Sequence, residues 1–274
     1  MTDKVVTLDN LSTFKDECDK VYTQCINNAG FHNSIFRGKD ITAEWDNGTV
    51  STNIADGTFK DIFVGDYFTK SATINGTVTT LTFIIADINT YYGYNSYAMI
   101  DTPHISVVVK GLPNARMNIN TTTAGGYKGS EMHTITLPAY CEGIEAALGS
   151  EHILTHQKKL SNSVNTTAYN RFGSNSGCSN SWEWVSDMKI SLMTESQIYG
   201  HIVWSSSGHD TGEAYKPLSL FQKVRPNQVF GESKWFWLRD VGYAGVFCCC
   251  NVVGTADCLM ASSVGGVFPL LLLK

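Results

Sequence analysis

Cys248, Cys249, Cys250 and Cys258 lie close together near the end of the chain. Thiolates at that density could hold a soft metal ion or support redox chemistry. A zinc site, however, takes cysteine pairs two to four residues apart with a second pair downstream. Consecutive side chains on an extended segment also point to opposite faces. The triplet meets neither need, so no metal site is expected. Cys18, Cys25, Cys141 and Cys178 are too scattered to make a disulfide framework. The histidines (His32, His104, His133, His152, His156, His201 and His209) form no HExxH, and no GxSxG is present. Glu131 near His133, and Glu151 beside His152, could exchange a proton as acid and base. On a surface they would simply be solvated. Gly125-Gly126-Tyr127-Lys128-Gly129-Ser130 invites a phosphate-loop reading, but the Lys precedes the last Gly and no clear strand leads in. It reads as a turn. No enzymatic activity and no cofactor is expected, and nothing in the residues indicates calcium.

The cysteines belong to a longer stretch with an unusual composition. Between Val241 and Leu273 there is no Lys, Arg, Glu, Gln or His. No period of 2 or 3.6 runs through it, so it reads as neither a helix nor a regular strand. Codon chemistry accounts for part of this. An AAC or AAT codon randomised at its adenines yields Asn, Asp, Tyr, Ser, Thr, Gly, Cys, Val, Ala, Leu or Phe, but not Lys, Glu, Gln, Met or Trp. Met260 is the exception here, and the absence of Arg and His is left over.

Leu238-Arg239-Asp240-Val241, Ala244, Phe247, Gly254, Ala256, Ala261-Ser262 and Gly266-Val267-Phe268-Pro269 carry a resemblance. Their spacing resembles phage variable proteins diversified by a diversity-generating retroelement, of the major-tropism-determinant and gut-phage type. The family closes on Gly-Val-Arg-Pro, and Phe268 stands where the Arg would be. Four further motifs of that type recur in order: Gly-Tyr-x-Gly-Ser-x-Met near residue 130, Leu-Met-x-Glu-x-x-x-Tyr-Gly at 192–200, Pro217-Leu218-x-Leu220-Phe221, and Trp237-Leu238-Arg239-Asp240.

The resemblance implies an α+β fold with a C-type-lectin-like core, related to formylglycine-generating enzymes, whose first and last strands pair. It also implies a hypervariable ligand-binding region at 240–269. The implied contact positions are Tyr243, Gly245, Val246, Cys248, Cys249, Cys250, Val252, Val253, Thr255, Asp257, Cys258, Leu259, Met260, Ser263, Val264, Gly265 and Phe268. Trp235, Trp237, Arg239, Asp240 and Phe247 would be structural support. The implied partners are a host cell-surface protein or glycan and other virion proteins. Two alternatives stand beside this display reading. One is a formylglycine-generating-type oxidase using the cysteine cluster, with bound copper. The other is a diversified cellular surface protein.

Composition agrees with a folded, loop-rich binding protein. Of 274 residues 43% are hydrophobic, enough for a sizeable core, and only 16% are charged. A net charge of −5 without any Lys/Arg cluster argues against nucleic acid. No apolar run approaches the roughly 18 residues of a membrane span, and Met1-Thr2-Asp3-Lys4 does not open a signal peptide. Synthesis in the bacterial cytoplasm and release in a virion are expected.

The elements that must position these residues begin with an N-terminal helix and linker, 1–57, ahead of a ligand-binding domain, 58–274. Leu11, Phe14, Cys18, Val21 and Cys25 form an a/d seam. That seam suits a helix lying on its own domain, or one that docks to a virion or assembles a homotrimer. Asn27-Asn28-Ala29-Gly30 would end it, and 31–57 reads as a linker or small insertion. Phe59–Phe68 reads as a strand. Ser71–Ile74 and Thr77–Asp87 should form a hairpin across Asn75-Gly76. Tyr91–Tyr97 reads as a loop and His104–Lys110 as a strand. Pro138 should open a helix to Leu148 with Tyr140, Ile144 and Leu148 on one face. Asn162–Ser181 reads as an excursion, and Ser181–Trp184 and Lys189–Tyr199 as core strand and helix.

Overall fold

The computed structural model describes residues 11–18, 29–93, 100–164, 179–205, 217–231 and 234–274. The expected seam positions Val21 and Cys25, and most of the Asn162–Ser181 excursion, lie outside them. Helix and antiparallel sheet are mixed, as an α+β chain requires.

The main sheet has five strands, with every pairing antiparallel. β1 (Tyr67–Ile74) and β2 (Thr77–Ile88) form the expected hairpin. Asn75 and Gly76 both take positive φ, 49° and 78°, as a tight turn between right-twisted strands demands. β3 (Ile105–Lys110) follows. β10 (Leu270–Leu273) pairs with β3 on one side and β6 (Ile190–Ser191) on the other. Among the described residues the first strand, β1, and the last, β10, do not pair as expected. β10 sits inside the sheet, with Leu271 and Leu273 in the main core and Leu270 and Leu272 in two smaller clusters. A strand covered on both faces reads as a continuous apolar run, and four leucines supply one.

α1 (Ala29–Ser34), α2 (Thr42–Asp46) and α3 (Thr49–Ala55) replace the expected linker. Ile41, Trp45, Val50 and Ile54 are buried in the main core. Trp45 stacks on Phe68 at 4.1 Å, and Phe68 on Phe83 at 4.9 Å. The boundary near residue 57 thus falls within packed structure, and Ala29-Gly30 begins a helix rather than ending one. Residues 11–18 are helical, but their side chains are all exposed. Leu11 and Phe14 (69% exposed) do not lie on the domain as a surface helix would.

Of the expected strand Phe59–Phe68, only Tyr67 and Phe68 are strand, as the start of β1, and 59–66 is instead a chain of turns. Phe59 and Asp61 have φ of 51° and 55°. The fully buried Asp66 carboxylate accepts the N–H groups of Phe63 and Lys39 and pairs with Arg37. Burial of Phe59, Ile62 and Val64 mimics a strand pattern while the backbone bends around this carboxylate. α4 (Leu137–Leu148) runs as expected, with Pro138 in its first turn and Tyr140, Ile144 and Leu148 buried. Gly143 lets it approach β1: a Cβ there would meet Thr73 O at 2.4 Å.

β4 (His156–Val164) and β5 (Ser179–Met188) form a separate two-stranded ribbon. Trp184 is exposed there and Trp182 half-exposed, so Ser181–Trp184 is not the core strand expected. α5 (Glu195–Tyr199) and α6 (Pro226–Phe230) complete the frame beneath a third sheet of three strands.

Candidate functional site

The third sheet contains the stretch without periodicity. β7 (Phe236–Tyr243), β8 (Val246–Cys250) and β9 (Ala256–Met260) are antiparallel neighbours. The expectation that no regular strand runs here is corrected. β8 is central and buried on both faces, so it has no alternation to display. Phe247 and Cys249 enter the main core, whereas Cys248 and Cys250 enter the second cluster.

Exposure divides the expected contact positions. Val252, Val253 and Thr255 in the β8–β9 turn are exposed, as are Asp257 and Met260 on β9 and Val264 just beyond. Tyr243, Gly245, Cys258, Leu259 and Ser263 are half-buried. Val246, Cys248, Cys249, Cys250, Gly265 and Phe268 are buried and touch no solvent-borne partner while the sheet is intact. Gly265 is clamped: a Cβ would lie 2.2 Å from the Trp235 ring. Gly245 takes φ 76° in the β7–β8 turn, where most side chains would be strained. Phe268 stacks on Phe230 at 4.2 Å and meets Phe236 edge-on. An apolar partner set thus surrounds the position where the family pattern has Arg.

The expected support residues lie beneath. Trp237 is fully buried, donates Nε1–H to Ala115 O at 3.0 Å and meets Trp235 edge-on at 4.9 Å. Between Trp237 and Val241 the β7–β8 register slips, because β7 advances four residues while β8 advances two. The extra residues carry Arg239 and Asp240 out to a neighbour. Arg239 N–H donates to Met193 O, and the Asp240 carboxylate accepts Glu195 N–H at 2.6 Å.

The recurring motifs converge on this same underside. Tyr127 OH accepts Leu192 N–H, and burial pushes that phenol up to about 12. Thr194 and Gln197 close a capping box on α5. The buried Glu195 carboxylate accepts N–H from Val203, Trp204 and Ser205. Trp204 in turn donates Nε1–H to Ala256 O on β9. Leu218 and Leu220 fill the second cluster, where Leu220 N–H bonds Ala86 O.

Two contributors had no signal in sequence. Asn251 builds the β8–β9 turn: its Oδ1 accepts Val253 and Thr255 N–H while Nδ2 donates to Thr255 Oγ1. Segment 114–136 borders the sheet through Ala115↔Gly265 bridging, the Thr121–Ser262 hydroxyl bond and Thr123 Oγ1, which accepts Gly245 N–H. It adds exposed Ile119 and Ile135 and a cavity of ≈ 340 Å³ lined by Arg116, Glu131, Tyr140 and Val264. Roughly 130 residues separate the two segments, beyond the reach of any local pattern.

The chemical candidates are dispersed. Glu131 spends its N–H on Asn118, while His133 packs against Tyr127 at 5.3 Å. Burial, then Arg239 and Lys128, lower His133 to about 4. Glu151 and His152 approach only to 3.9 Å on the surface. Burial raises the Cys248 and Cys249 thiols, and Cys250 to about 11. Cys249 faces away from Cys248 and Cys250, so the triplet cannot converge on one atom. Among the described residues, no three His, Cys, Asp or Glu side chains are grouped to hold a metal ion. No helix among them is long and apolar enough to cross a membrane. Comparison with protein-family models, curated proteins and solved structures returns no match.

Proposed function

We propose that this chain is a retroelement-diversified binding protein that displays its contact surface on the β8–β9 hairpin. One observation supports the reading above others: burial sorts the hairpin into frame and face. The turn and edge strand expose Val252, Val253, Thr255, Asp257, Met260 and Val264, all within the region that the family resemblance assigns to variation. Surface positions accept substitution at a cost of about 0.5 kcal/mol or less, so they can change while the frame persists. The finer fold reading, C-type-lectin-like, rests on the same resemblance.

The exposed side chains are largely aliphatic, and an apolar patch on a protein surface usually marks an interaction site. Sugars are gripped through aromatic stacking and convergent hydrogen bonds, which this face scarcely offers, so a host surface protein is the better-matched ligand than a glycan. A tail-associated place in a virion follows from the family reading. The exposed apolar side chains of Leu11 and Phe14 suit attachment to another virion protein or to further copies of the chain.

Sequencing the DNA downstream of the gene tests this directly. The expected result is a near-copy of codons 240–269 beside a reverse transcriptase gene. Its adenines should mark Val252, Val253, Thr255, Asp257, Ser263 and Val264 and spare Gly245, Phe247, Gly265 and Gly266. Finding no such copy, or differences concentrated in the buried codons, would sink the proposal.

A further inference from the structure

Cys248 is singled out from its two neighbours by what stands across the hairpin. The register places Cys248 opposite Cys258, Cys249 opposite Asp257 and Cys250 opposite Ala256. Asn251 N–H bonds Thr255 O and Ala261 N–H bonds Gly245 O, which fixes the phase of the ladder. Hydrogen-bonded pairs alternate, so Phe247–Leu259 and Cys249–Asp257 are of that kind and Cys248–Cys258 lies between them. Such a non-hydrogen-bonded pair brings its Cα atoms to about 4.5 Å, with the side chains close together. Disulfides span Cα separations of about 4.4–6.8 Å. Both sulfurs also point the right way. Cys248 lies in the second cluster and Cys258 packs against that same cluster, and Cys258 Sγ lies 3.0 Å from where a Gly242 Cβ would stand, turned in over the sheet. Both thiols are reduced here, Cys248 buried and Cys258 half-buried.

We infer that Cys248 and Cys258 are a dithiol that a small-molecule disulfide, such as oxidised glutathione, closes into a cross-strand link stapling the β8–β9 hairpin. Cys258, the accessible member, gives up its proton and its sulfur attacks one sulfur of the small disulfide, whose other half departs as a thiol. Cys248 then loses its proton, attacks the Cys258 sulfur and displaces the second half. Two protons and two electrons leave the protein and reappear in two molecules of small thiol. Burial of Cys248 keeps it protonated, which makes the second step the slow one. This inference is independent of what the face binds.

The test uses the full chain incubated with oxidised glutathione, followed by alkylation of the remaining thiols and peptide mapping without reduction. Cleavage on the amino side of Asp257 separates Cys248 from Cys258, so their peptides travel together only when linked. The expected result is a joined pair whose fragment spectra place the link at Cys248, together with a melting temperature raised by about 5–10 °C and restored by reductant. Cys258→Ser should remove both effects, and Cys249→Ser should keep both. A link through any other cysteine, glutathione left on Cys258 without closure, or a shift that survives Cys258→Ser would overturn the inference.

Discussion

β8 and β9 are paired residue by residue, yet they do opposite work. β8 is buried along its whole length between two apolar clusters. β9, one strand further out, exposes Asp257 and Met260 and buries none of its residues fully. The two strands draw on similar small and aliphatic residues, so composition does not separate them. Position in the sheet does. A central strand must fill space on both sides, whereas an edge strand leaves one flank to solvent and can carry changing side chains.

Substitution should pull the two regions apart. Trp237→Ala removes a fully buried ring and its Nε1–H bond to Ala115 O, which keeps only the Gly265 N–H. It should cost about 3–5 kcal/mol in urea unfolding. A cost below 1 kcal/mol would mean that the frame does not depend on the Trp pair. Acid should strike the frame next. His104 is buried, and burial lowers it to about 4 from an unfolded value near 6.5. Its neutral form is favoured in the fold, so the unfolded chain binds the extra proton. The stabilisation is complete above pH 6.5 and is lost as pH falls toward 4, on the order of 3 kcal/mol at the limit. Unfolding midpoints at several pH values should show this slope, and His104→Gln should reduce it, leaving the part that comes from His133, which burial lowers likewise.

Smaller effects should mark the hairpin itself. Cys249→Ser sets a hydroxyl in the main core where a thiol was, at a cost of about 1–3 kcal/mol. On the face, Met260→Ser and Val253→Ser should change stability by about 0.5 kcal/mol or less. Each removes a side chain that is 60% exposed. If Met260→Ser proved as costly as Cys249→Ser, the division into frame and face would fail.

The sequence was most legible where one local rule decided the structure. Asn75-Gly76 dictated the hairpin turn, Pro138 and the 3.6 period gave α4, and Trp237 was recognisable as an anchor. It was least legible where distant groups decide. The bend over 59–66 is set by Asp66 reaching back to Lys39 and Arg37, partners that nothing local in the run of apolar residues points to. β8 shows no period because both its faces are buried, and nothing local in the four leucines of β10 points to β3 and β6 as its neighbours. Within the candidate site, the stretch was marked out by composition. The exposure of single residues was not, because Gly265 lies under a ring from Trp235 and Phe268 against Phe230, contacts that only folding reveals.

The place of β10 has a consequence for synthesis. It is translated after the hairpin, yet it occupies an interior position between β3 and β6. While the ribosome is still making the hairpin, β3 and β6 have no strand to join them, and the main sheet cannot close. A hairpin variant carrying a stop codon or a frameshift therefore never receives its four leucines. Without β10 to join β3 and β6, such a chain should be open to proteolysis. The order of strands thus makes completion of the main sheet depend on the chain having been read through the hairpin.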